Sequence, residues 1–173
     1  MYLKSNNYGS GIYNETQPVG SDEGNRKRNI LGDNKMERPT REQIHMQTAS
    51  LWAHRATCKL SNRKIGCIIT TKDMNRILSI GYNGSPTAMP NDSCRDVTGG
   101  CGCLHAEQNA IAMVDGIIPN KTMFITMEPC EACANLIAQS NISKVYYYDE
   151  YRNHQGITRL RACGIEIIRL SKT

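Results

Sequence analysis

The chain has 173 residues, of which 39% are hydrophobic and 21% charged, with a formal net charge of +5. That length suits one domain of ordinary size, and the mild positive excess suits an anionic ligand such as a nucleotide phosphate while being too small to argue for a nucleic-acid groove. No run of about 18 apolar residues excludes a membrane-spanning helix, and the first 30 residues lack the basic start and apolar block of a secretory signal, so a cytoplasmic location and no membrane partner are expected.

Residues 1–39 read as a disordered or loosely docked tail, because Gly, Asn and Ser dominate and no apolar period is present. The run Arg26-Lys27-Arg28 reads as a solvated linker, and Ile30-Leu31 as a pair that can dock. The folded domain is expected over 40–173. Thr40 with Gln43 makes a capping box behind Pro39, starting a helix that runs to about residue 56. Apolar runs at 65–70 and 76–82 flank a polar turn at 72–75 and predict a hairpin. Residues 83–103 form a loop rich in Gly, Pro, Asn and Asp. A helix is expected over 104–114 and a strand over 122–127. Pro129 is expected in the first turn of a helix reaching residue 139. A strand at 144–148, a helix at 157–162 closed by Gly164 and a strand at 165–170 complete the domain. The order α-β-β-α-β-α-β-α-β predicts layered α/β architecture with helices packed on a mixed sheet.

Eight cysteines stand at 58, 67, 94, 101, 103, 130, 133 and 163. Without a secretory signal, metal ligation and buried thiols are stronger readings than disulfides. Cys130 and Cys133 are three apart at a predicted helix start, so they share one face, where the helix dipole and free N–H groups favour thiolates. His105, at another helix start, can supply a third ligand. Three protein ligands leave one zinc position open, which is the arrangement of a catalytic site. Zinc brings the pKa of a bound water toward roughly 7, and Glu107, two residues from His105, can move its protons. Two competing readings stand beside this one. The thiols and the histidine can be plain buried groups, or the zinc can be structural with a fourth protein ligand, which would leave Glu107 idle. Cys67, Cys163, Met46, Met89, Met113 and the tyrosines at 146–148 read as packing residues. His45, His54 and His154 have no partner in the motif.

His105-Ala106-Glu107 and Pro129-Cys130-Glu131-Ala132-Cys133 match the signature of zinc nucleobase deaminases. With Lys64-Ile65-Gly66-Cys67-Ile68-Ile69, Gly81-Tyr82-Asn83-Gly84-Ser85-Pro86, Lys144-Val145-Tyr146, Tyr151 and Gly156, residues 41–170 resemble the deoxycytidylate deaminase family. The resemblance implies the three-layer α/β/α cytidine deaminase-like fold around a five-stranded mixed sheet. It implies hydrolysis of dCMP to dUMP and ammonia, by a zinc-held hydroxide attacking C4, with Zn2+ on His105, Cys130 and Cys133 and Glu107 as proton shuttle. It implies activation by dCTP and inhibition by dTTP, each with Mg2+, near Asn83, Gly84 and Asn109; an ordinary tight turn is the alternative reading of that stretch. The N–H of Ala106 and the carbonyl of Glu128 flank the zinc ligands and are expected to read the pyrimidine edge. Tyr151 matches a tyrosine near the substrate. Arg63 or Arg55 is a candidate for the 5′-phosphate. Cys58, Cys94, Cys101 and Cys103 resemble a second, structural zinc set, against four unligated thiols. A homo-oligomer, by resemblance a hexamer, is expected, with no nucleic-acid partner. Two other functions compete: a deaminase of this fold acting on free cytidine or an RNA base, and a catalytically silent nucleotide-binding module.

Overall fold

The computed structural model describes residues 38–60, 64–95, 97 and 100–172. The proposed arm with its basic run and its Ile30-Leu31 pair, and the phosphate candidate Arg63, lie outside the described residues. The strands are β1 (Gly66–Thr70), β2 (Ile77–Tyr82), β3 (Lys121–Met127), β4 (Ile142–Asp149) and β5 (Glu166–Arg169); the helices are α1 (Arg41–Ala53), α2 (Ala106–Ala112), α3 (Glu131–Ala138) and α4 (Gln155–Ala162). One sheet runs in the order β2-β1-β3-β4-β5. β1 is antiparallel to both β2 and β3, whereas β3, β4 and β5 are parallel. Two connections, through α3 and α4, produce that parallel half, because parallel neighbours need a crossover.

The sheet is covered on both faces, as the expected three-layer fold requires. Ile68, Phe124 and Tyr146 stand in one cross-strand row and pack against Met46 and Ala49 of α1. The Phe124 and Tyr146 rings stack at 4.9 Å. The alternate positions Cys67, Ile69, Met123, Ile125, Val145 and Tyr147 face the opposite layer, formed by α2, α3 and α4. Period-two alternation with apolar residues on both faces explains why the central strands read as continuous hydrophobic runs. The Thr40–Gln43 capping box forms as expected. Among the described residues, no helix is long and apolar enough to cross a membrane.

Several details depart from the sequence expectation. Pro129 lies before the helix, with Cys130 as the N-cap of α3; the extended backbone of Cys130 delays the first turn. β3 begins at Lys121, one residue early, and that lysine is fully buried. Its ammonium group donates to the carbonyls of Asp115 at 3.3 Å and Ile118 at 2.5 Å, so a cation enters the core with oxygen partners. α4 starts two residues early, at Gln155. Cys163, Met89 and Met113 are exposed, not packed; Cys163 caps the end of α4.

The approach of α2 to β2 positions the site described below. A Cβ on Gly81 would overlap the carbonyl oxygen of Ala106 and lie 2.6 Å from the Ala110 nitrogen. Only glycine lets the helix backbone sit this close to the strand. Gly81→Ala is expected to lower stability by roughly 1–3 kcal/mol, the range for overpacking. A denaturant midpoint unchanged from the parent would show that α2 can retreat without cost.

Candidate metal centre and catalytic pocket

Two helices begin at the same place. His105 is the extended N-cap residue of α2, and its N–H donates to Gln108 Oε1 at 2.7 Å. Cys130 is the extended N-cap residue of α3, with Cys133 in its first turn. His105 Nδ1 lies 3.3 Å from Cys133 Sγ and 3.6 Å from Cys130 Sγ. All three donor atoms fall within 4.8 Å of one another. Hydrogen bonds from the Cys133 thiol and from His105 pull the Cys130 thiol down to about 4. The same sharing pushes the Cys133 thiol up, and the hydrogen bond to Cys130 raises the His105 imidazole. One imidazole and two sulfurs are a donor set that zinc takes.

Glu107 points into the same space. It is 3% exposed, and burial pushes its carboxyl up to about 7. Its Oε2 has no hydrogen-bond partner among the described residues. A buried polar atom without a partner costs about 1–3 kcal/mol, so its retention points to a group that this chain alone does not supply. The pocket in front of it is lined by His105, Glu107, Cys130, Glu128, Tyr151 and Asn83, among others.

The remaining expected residues have mixed placements. Ala106 is fully buried as the first residue of α2, where a backbone N–H has no partner within its own helix. Asn83 is buried on the pocket wall, and its Oδ1 accepts the Ile65 N–H at 2.8 Å. Gly84 exchanges two backbone hydrogen bonds with Leu104, directly before His105. Asn109 Nδ2 donates to the Tyr82 carbonyl at 2.7 Å. Asn83, Gly84 and Asn109 thus buttress the histidine side of the pocket. Tyr151 lines both the pocket and its mouth. Arg55 is exposed beyond α1 and is not among the residues lining either.

Two residues escaped the sequence reading. Arg152 lies at the mouth, its guanidinium centre 5.4 Å from the Tyr151 ring. His154 bonds the Glu128 carboxylate. The available signal was topological: both follow β4, and ligands of α/β sheets gather at the carboxyl ends of parallel strands.

A second donor cluster adjoins the first. The sulfurs of Cys58, Cys94, Cys101 and Cys103 lie within 4.8 Å of one another, with Cys58 and Cys94 3.9 Å apart. Tetrahedral zinc–sulfur bonds of about 2.3 Å separate sulfurs by about 3.8 Å. Burial is the largest cause pushing the Cys58 and Cys103 thiols up.

Comparisons with known proteins agree with this geometry. The profile of the cytidine and deoxycytidylate deaminase zinc-binding region matches residues 39–149. The chain is 33% identical over 149 residues to deoxycytidylate deaminase of Saccharomyces cerevisiae, covering 79% of this chain and 46% of that protein. It is 35% identical over 133 residues to deoxycytidylate deaminase of Mycobacterium phage D29, covering 66% of this chain and 99% of that one. The chain therefore spans about half the length of its yeast relative and nearly all of the phage one. A crystal structure of dCMP deaminase from the cyanophage S-TIM5 in complex with dCMP and dUMP superposes with a TM-score of 0.67 at 34% identity, covering 77% of this chain and 98% of that one. Cys130→Ala is expected to lower zinc content by about one equivalent per chain, read by elemental analysis; unchanged zinc would remove Cys130 from the ligand set.

Proposed function

The chain belongs to the cytidine and deoxycytidylate deaminase family, and from that premise we propose that it hydrolyses dCMP to dUMP and ammonia. The observation that carries this reading is the orphaned Oε2 of Glu107, buried beside three convergent metal donors and facing the pocket. His105, Cys130 and Cys133 would hold zinc, which when bound would supply Lewis-acid activation of a water molecule at neutral pH. Glu107 takes the proton that water releases on adding to C4 of the base. It delivers that proton to the ring nitrogen, and then assists departure of the amino group as ammonia. Overall, one water enters and one ammonia leaves. The Ala106 N–H and the Glu128 carbonyl read the pyrimidine edge, and Tyr151 stands against the nucleoside.

Arg152 joins Arg63 as a candidate for the phosphate-binding group. Its position at the mouth on the Tyr151 ring supports this, since a stacked guanidinium is pre-organised for bidentate phosphate binding. The phage relative crystallised with dCMP and dUMP supports the choice of nucleotide.

Three finer features belong to the same proposal. Cys58, Cys94, Cys101 and Cys103 hold a structural zinc. Activation by dCTP and inhibition by dTTP, each with Mg2+, act at the turn carrying Asn83 and Gly84. Asn83 supports that link, because it also walls the pocket. The assembly is a homo-hexamer.

Ammonia release should be seen with dCMP and be weak or absent with deoxycytidine, cytidine and a tRNA anticodon stem. Activity on the stem alone would transfer the reading to an RNA base. Glu107→Gln is expected to retain zinc and lose roughly 100- to 10,000-fold in kcat; full activity would refute the proton shuttle. Arg152→Ala should raise KM for dCMP at least about tenfold with kcat within about threefold of the parent. Saturation curves with and without dCTP and dTTP test the regulation, and an effector-blind hyperbola would remove it.

A further inference from the structure

The segment between β4 and α4 brings Tyr151 into the pocket and Arg152 to its mouth, yet it has no regular structure of its own. One buried carboxylate holds it. Glu128 lies between β3 and the N-cap of α3, and its side chain is fully shielded from solvent. His154 Nδ1 donates to the carboxylate, 3.0 Å from each oxygen. Oε2 also accepts the Tyr151 N–H at 3.3 Å. The Glu128 N–H donates to the Asp149 carbonyl at 2.8 Å, where the segment begins. At its far end Gly156 abuts the Pro129 carbonyl, where a Cβ would overlap the oxygen. The segment is therefore pinned to Glu128-Pro129 at its start, middle and end.

Cys130 follows directly, so one short stretch carries both a metal donor and the peg for the substrate-facing segment. A buried carboxylate is stable only when donors surround it, and here both donors come from the segment it holds. Removing the carboxylate would strand the Tyr151 N–H and release His154.

We propose that the Glu128 side chain is a positioning group: its carboxylate, through Tyr151 and His154, fixes the segment that faces the sugar and phosphate of a nucleotide, while the base meets only the Glu128 main-chain carbonyl, which the side-chain variants retain. This rests on reading the chain as a dCMP deaminase.

The test uses the full chain and the variants Glu128→Ala, Glu128→Gln, His154→Ala and the Glu128→Ala/His154→Ala double variant. Two quantities are read: hydrogen exchange at the Tyr151 amide, and kcat and KM for dCMP. Glu128→Ala is expected to speed Tyr151 exchange about tenfold or more and to raise KM about 10- to 100-fold, with kcat within about threefold and zinc content unchanged. Glu128→Gln, which keeps an acceptor, should restore both to within about threefold of the parent. His154→Ala should be intermediate, with no added effect in the double variant, because both residues act through one contact. Unaltered Tyr151 exchange in Glu128→Ala would overturn the proposal. So would a kcat loss at unchanged KM in Glu128→Gln, which would make the carboxylate a participant in the chemistry. If the parent fails to deaminate dCMP, the functional reading falls, while the exchange measurement still decides whether the carboxylate pins the segment.

Discussion

Everything in this domain is arranged around three soft donor atoms brought within 4.8 Å by the starts of two helices. Bringing an imidazole and two thiols together gains little by itself; the hydrogen bond the two thiols share raises the Cys133 thiol, with burial adding to the rise, and lowers that of Cys130. The convergence is built by backbone placement. Gly81 lets α2 lie against β2, Gly84 pairs with Leu104 just before His105, and parallel pairing of β3 with β4 fixes where α3 starts. Each constraint is supplied by packing or by a backbone hydrogen bond, so the donors are pre-positioned before any ion arrives.

The pocket has two unlike walls. One is rigid and belongs to β1, β2 and α2, where the Asn83 side chain ties the end of β2 to the start of β1 and that of Asn109 ties α2 to β2. The other is a loop suspended from the Glu128 carboxylate. A rigid wall suits groups that must meet the reacting ring within a few tenths of an ångström, and a suspended one suits the part of a ligand that must enter and leave.

The cluster of His105, Cys130 and Cys133, with Glu107 beside it, was legible in the sequence because its spacing is local. Two cysteines three apart share one helix face, and a glutamate two residues after a histidine at a helix start lies close to it along the chain, without any tertiary information. The sheet was legible because β1 and β3 are apolar on both faces. What escaped depends on contacts distant in sequence. Glu128 and His154 are 26 residues apart and meet only through strand pairing. Arg152 acquires meaning from the ring beneath it. Lys121 fell outside the expected strand because a lysine in a core is admissible only where carbonyls surround it, and although Asp115-Gly116 marks a turn, nothing in the sequence says that its carbonyls converge on an ammonium group. Met89 and Met113 misled in the opposite direction: hydrophobic character alone does not say which side of a helix or loop faces outward.

Cys103 and His105 flank a single residue, Leu104, whose N–H and carbonyl are both engaged by Gly84. The two sulfur-bearing clusters are therefore mechanically one object, although they are separate in chemistry. They are also ordered in time. A ribosome releases Cys58, Cys94, Cys101 and Cys103 before Cys130 and Cys133, so the nascent polypeptide has its whole sulfur quartet while the neighbouring centre still lacks two of its three donors.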